Sequence, residues 1–440
     1  MKHPIKFLML LVGSFLFAQQ TTFKFDFGGS RVESGFIPIT STSKFDKKIG
    51  YGFMDVSGLK SIDNGGNALT GDFITGDKPF YFSVAIPEGN YNIQLNLGDT
   101  KGISETTVRV ENRRLMLNNV ETKRGEIVEK HITVHIKDSI IRKQDGTQIG
   151  IVKLKPRETK YLHWDNLLTI EFNDKAPKVC SVIIQPNKTA KTIYLTGDST
   201  VVDAQYEPWA SWGQMLPYFF VPNEVAIANY AESGETLKAF EDRHRIDKIW
   251  NKIKSGDYLF IQFGHNDQKA GNSTKSGYRK RLKEWILKAK SLGANPILVT
   301  SMNRRVFDEN NKIVNTLDDF PEAMREIAKE EKVDLIDLNA LSKTLFEAMG
   351  PEKAKKAFVH YPANSYLNQP NALADDTHFN PYGAYELAKC VVKSIVYQNL
   401  PLKKYISKNY KNFNPNKPDD VEKFHWPESV FMESLKPDGN

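Results

Sequence analysis

The chain has only two cysteines in 440 residues, Cys180 and Cys390. That excludes a disulfide framework, and neither thiol stands at metal-ligand spacing from another ligand residue. Their pairing is open between one bridge and two buried thiols packed as small hydrophobes. Long basic runs are missing too. The formal charge of +7 is spread thinly and includes Lys2 and Lys6 at the very start. The densest basic stretch, Arg279-Lys280-Arg281, is followed by Leu282 and Trp285 at helical spacing and reads as a solvated helix face. No nucleic-acid footprint is predicted. Beyond the first residues no run is long and apolar enough to span a bilayer, so no membrane partner is expected. Ordinary fractions of apolar (40%) and charged (26%) residues exclude disorder as the main theme.

What is present begins with a leader. Residues 1–18 join a basic start to the apolar run Phe7–Val12 and end on Ala18, the pattern of a secretory signal peptide. Leu16, two residues before the presumed cut, leaves the cleavage site open, and no nearby cysteine suggests a lipid anchor. The expectation is a secreted or periplasmic protein after removal of the leader. The remaining length predicts two globular domains.

From 22 to 187 the pattern is alternation. Phe23, Phe25 and Phe27, then Tyr81–Ile86, Tyr91–Leu95, His131–Ile136 and Leu168–Phe172 are short period-two runs separated by Gly, Asn, Asp and Pro, which predicts an antiparallel β-sandwich. From 191 to 400 strands alternate with amphipathic helices. Candidate strands are Ile193–Thr196, Glu224–Asn229, Tyr258–Phe263, Pro296–Thr300 and Val333–Asp337, with a final helix over 382–398. This predicts a parallel sheet covered by helices on both faces, a three-layer α/β/α domain. Residues 401–440, rich in Lys, Asn and Pro, read as a surface-wrapping tail or disordered end.

The polar motifs follow the strands. Gly197-Asp198-Ser199-Thr200 comes after the first, Ala231-Glu232-Ser233-Gly234 after the second and Gly264-His265-Asn266-Asp267 after the third. In a parallel sheet these loops share the carboxyl edge, where ligands bind. Ser199 reads as a nucleophile, which needs a base, an acid to orient it and donors for an oxyanion. Asp375-Asp376-Thr377-His378, just before the last helix, offers an acid and a base three residues apart. Each element also has a plain structural reading: Gly-Asp-Ser makes ordinary turns, Gly234 can be only a turn before a helix, Asn266 a loop cap, and Asn380-Pro381 a helix start.

Taken together, Gly197-Asp198-Ser199, Gly234, Gly264-x-Asn266-Asp267 and Asp375-x-x-His378 resemble, in order, the four blocks of the SGNH (GDSL) hydrolase superfamily. Gly197-Asp198-Ser199-Thr200-Val201, Trp212-Gly213-Gln214, Asn303-Arg304-Arg305 and Asp375-Asp376-Thr377-His378-Phe379 look like its rhamnogalacturonan acetylesterase branch. Phe25-Asp26-Phe27-Gly28 and Gly50-Tyr51-Gly52-Phe53 look like a galactose-binding-like domain. The resemblance implies a flavodoxin-like hydrolase fold behind a β-sandwich. It makes Ser199 the nucleophile, His378 the base and Asp375 its orienter, with Ser199, Gly234 and Asn266 supplying the oxyanion hole. It also implies removal of acetyl groups from plant cell-wall polysaccharide, most narrowly rhamnogalacturonan, by chemistry that needs no cofactor and no metal. Two rivals share these residues: an esterase acting on xylan or another acylated substrate, and a glycan-binding protein with an inactive hydrolase domain.

Several residues stay open at this level. Trp209 and Trp212 read as either a sugar platform or core, and His265 as a loop-holding residue. His131 and His135 share a strand face without a third ligand for a metal. Tyr161, His163 and Trp164 suit core packing, with sugar contact as the alternative. Oligomeric state and glycan binding by the first domain are not legible.

Overall fold

The structure, a computed structural model, describes residues 22–431 except Ser30, Ala270, Asn272, Leu367 and Asn368, together with Pro437 and Asp438. The expected leader, 1–18, lies outside the described residues.

The first half is two sheets face to face. One has the order Ile127–Ile136, Gly89–Gly98, Lys178–Pro186, Phe23–Phe27, Ile37–Ile39; the other runs Tyr51–Phe53, Phe80–Ala85, Leu167–Ala176, Ser104–Val110, Arg114–Thr122. Alternation works as it should. Phe25, Phe27, Phe53 and Phe82 point inward and pack edge to face, Phe25 and Phe27 each with ring centroids 5.0 Å from that of Phe82. The expectation of a wholly antiparallel sandwich needs one amendment, because Phe23–Phe27 pairs parallel with Ile37–Ile39. The short edge strand arrives by a crossing loop rather than a hairpin.

In the second half the parallel sheet has the order Val225–Asn229, Lys191–Thr196, Tyr258–Ile261, Asn295–Val299, Asp334–Ile336. In chain order that is 2-1-3-4-5, the flavodoxin-like arrangement, with the strand order reversing beside Lys191–Thr196. Both faces are apolar. Ile193, Leu195, Phe260 and Ile297 pack with the layer of Trp212–Met215, Leu338–Ala354 and Pro381–Tyr397, whereas Tyr194, Leu259, Ile261 and Leu298 pack with Lys275–Ser291 and Phe320–Glu331. Trp212 is fully buried and donates to Gln262 Oε1 at 2.8 Å, so it is core rather than a sugar platform. Among the described residues no helix is long and apolar enough to cross a membrane. Cys180 and Cys390 are free and buried, and burial pushes the Cys180 thiol up to about 12.

The halves are joined by a buried polar contact. The turn from Glu111 to Arg114, between two sandwich strands, enters the loop that follows Ser199. Arg114 Nε donates to Asp203 Oδ2 at 2.9 Å. Arg113 donates to the carbonyls of Ala204 (3.2 Å) and Trp209 (3.0 Å) and pairs with Glu207 at 2.5 Å. Asn112 Nδ2 donates to Asp203 O and, through its own carbonyl, accepts from Gln214. Arg114 Nη1 also reaches Ile227 O at 3.5 Å, and Lys137 Nζ donates to Asn229 O, both on the outer strand of the parallel sheet. The tail crosses back over this junction. Leu402 and Phe413 are buried against the hydrolase half, Trp426 lies 3.8 Å from the Arg109 guanidinium and donates to Glu207, and Ser429 meets Tyr81 OH at 2.7 Å.

Removing one partner of a buried pair leaves the other charge uncompensated. Arg114→Met should therefore destabilise the protein by about 3–5 kcal/mol, read as a lowered denaturation midpoint. An unchanged midpoint would remove the Arg114–Asp203 pair from the interactions that hold the halves together.

Candidate active site

Ser199 stands just past the end of Lys191–Thr196, in a turn that its neighbours build. Gly197 is required by close approach, since a Cβ there would lie 2.5 Å from Val201 Cγ2 and 2.9 Å from Gln262 O. Asp198 Oδ1 accepts from the N–H and hydroxyl of Thr200 (3.0 and 2.7 Å), and Gln262 Nε2 donates to the same hydroxyl. The turn is thus fixed from inside, leaving the Ser199 hydroxyl to face His378.

His378 comes from a hairpin made by Phe358–Tyr361 and Leu373–Phe379. Three residues apart on a regular strand would put Asp375 and His378 on opposite faces. The hairpin is not regular: the adjacent residues Phe358 and Val359 pair with Phe379 and Asp375, so 376–378 loop out between them. Asp375 Oδ1 accepts the N–H groups of Thr377 (2.8 Å) and His378 (3.0 Å), and its Oδ2 lies 2.8 Å from His378 Nδ1. His378 Nε2 lies 2.9 Å from Ser199 Oγ. Serine, histidine and acid thus form one hydrogen-bonded row, with Ser199 7% exposed and the other two 2%. Asp376 points elsewhere, to Arg305 Nε and His360 Nε2, both at 2.6 Å. Arg304 ties the bulge to the loop after the third strand by donating to Thr377 Oγ1 (3.2 Å) and His265 O (3.3 Å).

Gly234 has φ +77, a left-handed conformation that suits glycine. The carbonyl of the preceding Ser233 accepts from Lys155 Nζ and from Arg157 Nη2 (3.0 Å), two cations of the first half. In a trans peptide the carbonyl and the N–H point opposite ways. Holding Ser233 O therefore aims the Gly234 N–H away from those cations. Asn266 Nδ2 donates to Glu235 O at 3.1 Å, which ties the second and third loops together.

Electrostatics follow the packing. Burial alone would raise Asp375, but the hydrogen bond and charge of His378, with two backbone N–H groups, outweigh it and hold the carboxyl at about 2. Asp375 is thus an anion throughout the neutral range, able to orient the imidazole. Burial pushes Asp267 up to about 7, the N–H of Leu237 and the hydroxyl of Ser273 offsetting it only in part. Asp198 lies 3.6 Å from His265 Nδ1, and burial lowers His265.

Comparison with known proteins gives the geometry its context. Residues 195–385 match the GDSL-like lipase/acylhydrolase family and 23–131 the beta-agarase/YXIM esterase-like, galactose-binding domain-like family. Rhamnogalacturonan acetylesterase RhgT of Bacillus subtilis (strain 168) is 42% identical over 217 residues, 49% of this chain and 93% of RhgT. The chain belongs to the GDSL-like lipase/acylhydrolase family. Probable rhamnogalacturonan acetylesterase YesY of the same strain is 35% identical to this GDSL esterase over 50% of the chain and 99% of YesY. The uncharacterized esterase YxiM, also of that strain, matches both halves, at 27% identity over 87% of the chain and 93% of YxiM.

Within the GDSL half, Trp209 is a wall of the site, its ring edge-on to His378 with centroids 5.8 Å apart. Tyr161 lines a neighbouring cleft, whereas His163 and Trp164 are buried at the junction, Trp164 donating to Glu158. His131 pairs with Glu129 at the surface and His135 with Asn90, so the structure does not bring those histidines together. Lys155 and Arg157 were not singled out by the sequence; Lys155-Pro156-Arg157 lies in a stretch read for its strands, and scattered cations carry no local signal.

An acid whose folded value lies above its unfolded one holds its proton more tightly when folded. Its contribution to stability is full at low pH and is lost as pH rises from about 4, the unfolded value, through about 7. Asp267→Asn should therefore leave stability similar below pH 4 and make the variant gain on the native chain towards pH 8. Denaturation midpoints that fall in parallel for both chains across that range would contradict the assignment.

Proposed function

We propose that this esterase removes acetyl groups from a pectic polysaccharide, rhamnogalacturonan, after export to the cell surroundings or periplasm. The observation that carries the chemistry is the row Ser199 Oγ, His378 Nε2, His378 Nδ1, Asp375 Oδ2, with contacts of 2.9 and 2.8 Å. The substrate class is drawn from RhgT and YesY, whose names state it. The leader-like start supports export.

In this reading Ser199 Oγ attacks the acetyl carbonyl while His378 Nε2 takes its proton. Charge gathers on the carbonyl oxygen, faced by the N–H groups of Ser199 and Gly234 and the amide of Asn266. His378 returns the proton to the departing sugar oxygen, leaving acetyl on Ser199. Water, deprotonated by His378, then releases acetate and restores the hydroxyl. Asp375 keeps the Nδ1 proton in place and balances the imidazolium charge. Trp209 and the bulge limit how much water reaches the imidazole.

Measured on 4-nitrophenyl acetate, Ser199→Ala should give a folded protein with turnover down by several orders of magnitude. Near-normal turnover in that variant would sink the assignment. Asp375→Asn should lose on the order of 10³–10⁴ in kcat because the amide favours the wrong tautomer. Asp376→Asn should lose far less, since its partners are Arg305 and His360. A reversed ranking would move the orienting acid. Acetate release from a panel of acetylated rhamnogalacturonan, xylan and a neutral acetylated glucan tests the substrate, with rhamnogalacturonan expected to be fastest.

A further inference from the structure

The stretch Asn303-Arg304-Arg305 takes no part in the row of serine, histidine and acid, yet it follows the fourth strand, Asn295–Val299, at the same carboxyl edge as Ser199. Its base is firmly held. The backbone N–H and Nδ2 of Asn303 donate to Ser342 Oγ at 3.0 and 3.2 Å, and Nδ2 also donates to Asn339 O at 2.7 Å, which pins the residue to the first turns of the helix Leu338–Ala354. Two arginines run from this base to the bulge that carries His378.

Arg305 holds the outer side of the bulge. Its N–H donates to Asp376 O at 2.8 Å and its Nε to Asp376 Oδ1 at 2.6 Å. Arg304 joins three loops at once. Its Nε donates to Thr377 Oγ1 at 3.2 Å, its Nη2 to His265 O at 3.3 Å, and its Nη1 to the carbonyl and hydroxyl of Thr316 at 3.0 and 3.1 Å. All three nitrogens are thus engaged within the protein, and a planar fork is the side chain that donates in three directions together. The contacts are sheltered, Thr377 being 7% and His265 2% exposed. Thr377 immediately precedes His378 and gives its own N–H to Asp375 Oδ1. The His265 carbonyl belongs to the rigid peptide plane that leads into Asn266. One guanidinium therefore touches both the turn that aims the base and the loop that carries the amide. Its charge also faces both acids of the site: burial lowers the guanidinium, and Asp198 and Asp375 pull against that.

We propose that Arg304 is a positioning residue for ester hydrolysis, whose guanidinium sets the His378 bulge against the Asn266 loop so that the base and the oxyanion amide meet the same carbonyl. The role rests on the esterase reading. It acts through Thr377 and His265, so its loss shows in turnover rather than in substrate binding. Reaction geometry is strict enough that a displacement on the order of 1 Å costs as much as about 10² in rate.

The test compares the native chain, Arg304→Lys, Thr377→Val and the double variant on 4-nitrophenyl acetate, each below its own denaturation midpoint. Arg304→Lys keeps the charge and loses the fork, so kcat should fall about 10–100-fold with KM within about twofold of native. Thr377→Val keeps the side-chain volume and removes the acceptor, and should lose about tenfold in kcat. The double variant should fall no further than Arg304→Lys alone, because both changes break one contact. A native kcat in Arg304→Lys, a change confined to KM, or losses that multiply in the double variant would each overturn the role. Should Arg304→Lys fail to fold, Thr377→Val decides: a lowered kcat at unchanged KM supports the role and a native kcat overturns it. Absence of hydrolysis by the native chain would instead overturn the esterase reading, and this role with it.

Discussion

Two buried guanidinium groups carry the architecture. Arg113 and Arg114, 1% and 2% exposed, project from a sandwich turn into the loop between Ser199 and Trp212, where they meet Asp203, Glu207 and backbone carbonyls. An ion of this kind is tolerated in the interior only when its charge is answered. That requirement ties the two halves together more tightly than apolar contact alone, because a small slip leaves a charge unmatched. The loop so gripped includes Trp209, which flanks His378. The sandwich is therefore part of the site's frame.

The same dependence recurs at Ser233. Its carbonyl is drawn towards Lys155 and Arg157, and the direction of the next N–H follows from peptide planarity. RhgT and YesY match about half of this chain over nearly their own full length. The aim of that peptide here is an interaction between halves, added to a constellation whose serine, histidine and acid all lie in one.

Much of this was legible in the sequence, for local reasons. Strands such as Tyr258–Ile261 and Asn295–Val299 announced themselves by apolar runs bounded by turns, and the final helix by Asn380-Pro381, where Asn380 accepts from Gly383 N. Ser199, Asp375 and His378 were singled out by residue type and order, and the structure brings them into one row. The bulge at 376–378 was not foreseen, since register is decided by the partner strand. Lys155 and Arg157 were invisible because their partners, Glu232 and Ser233, lie about 75 residues away. The Lys, Asn and Pro content of the tail suits either a surface wrap or a disordered end; that Trp426 and Ser429 would cross to the sandwich depends on Arg109 and Tyr81, more than 300 residues earlier.

An open parallel sheet has two unpaired borders, and each is a template for joining another chain. One border here is Asp334–Ile336, only three residues long. The other is Val225–Asn229, five buried residues. Arg114 and Lys137 occupy the carbonyls of Ile227 and Asn229 on that side. The sandwich thus seals the one border long and apolar enough to nucleate strand addition. Two long cations laid across that strand take up carbonyls that would otherwise be open to another chain.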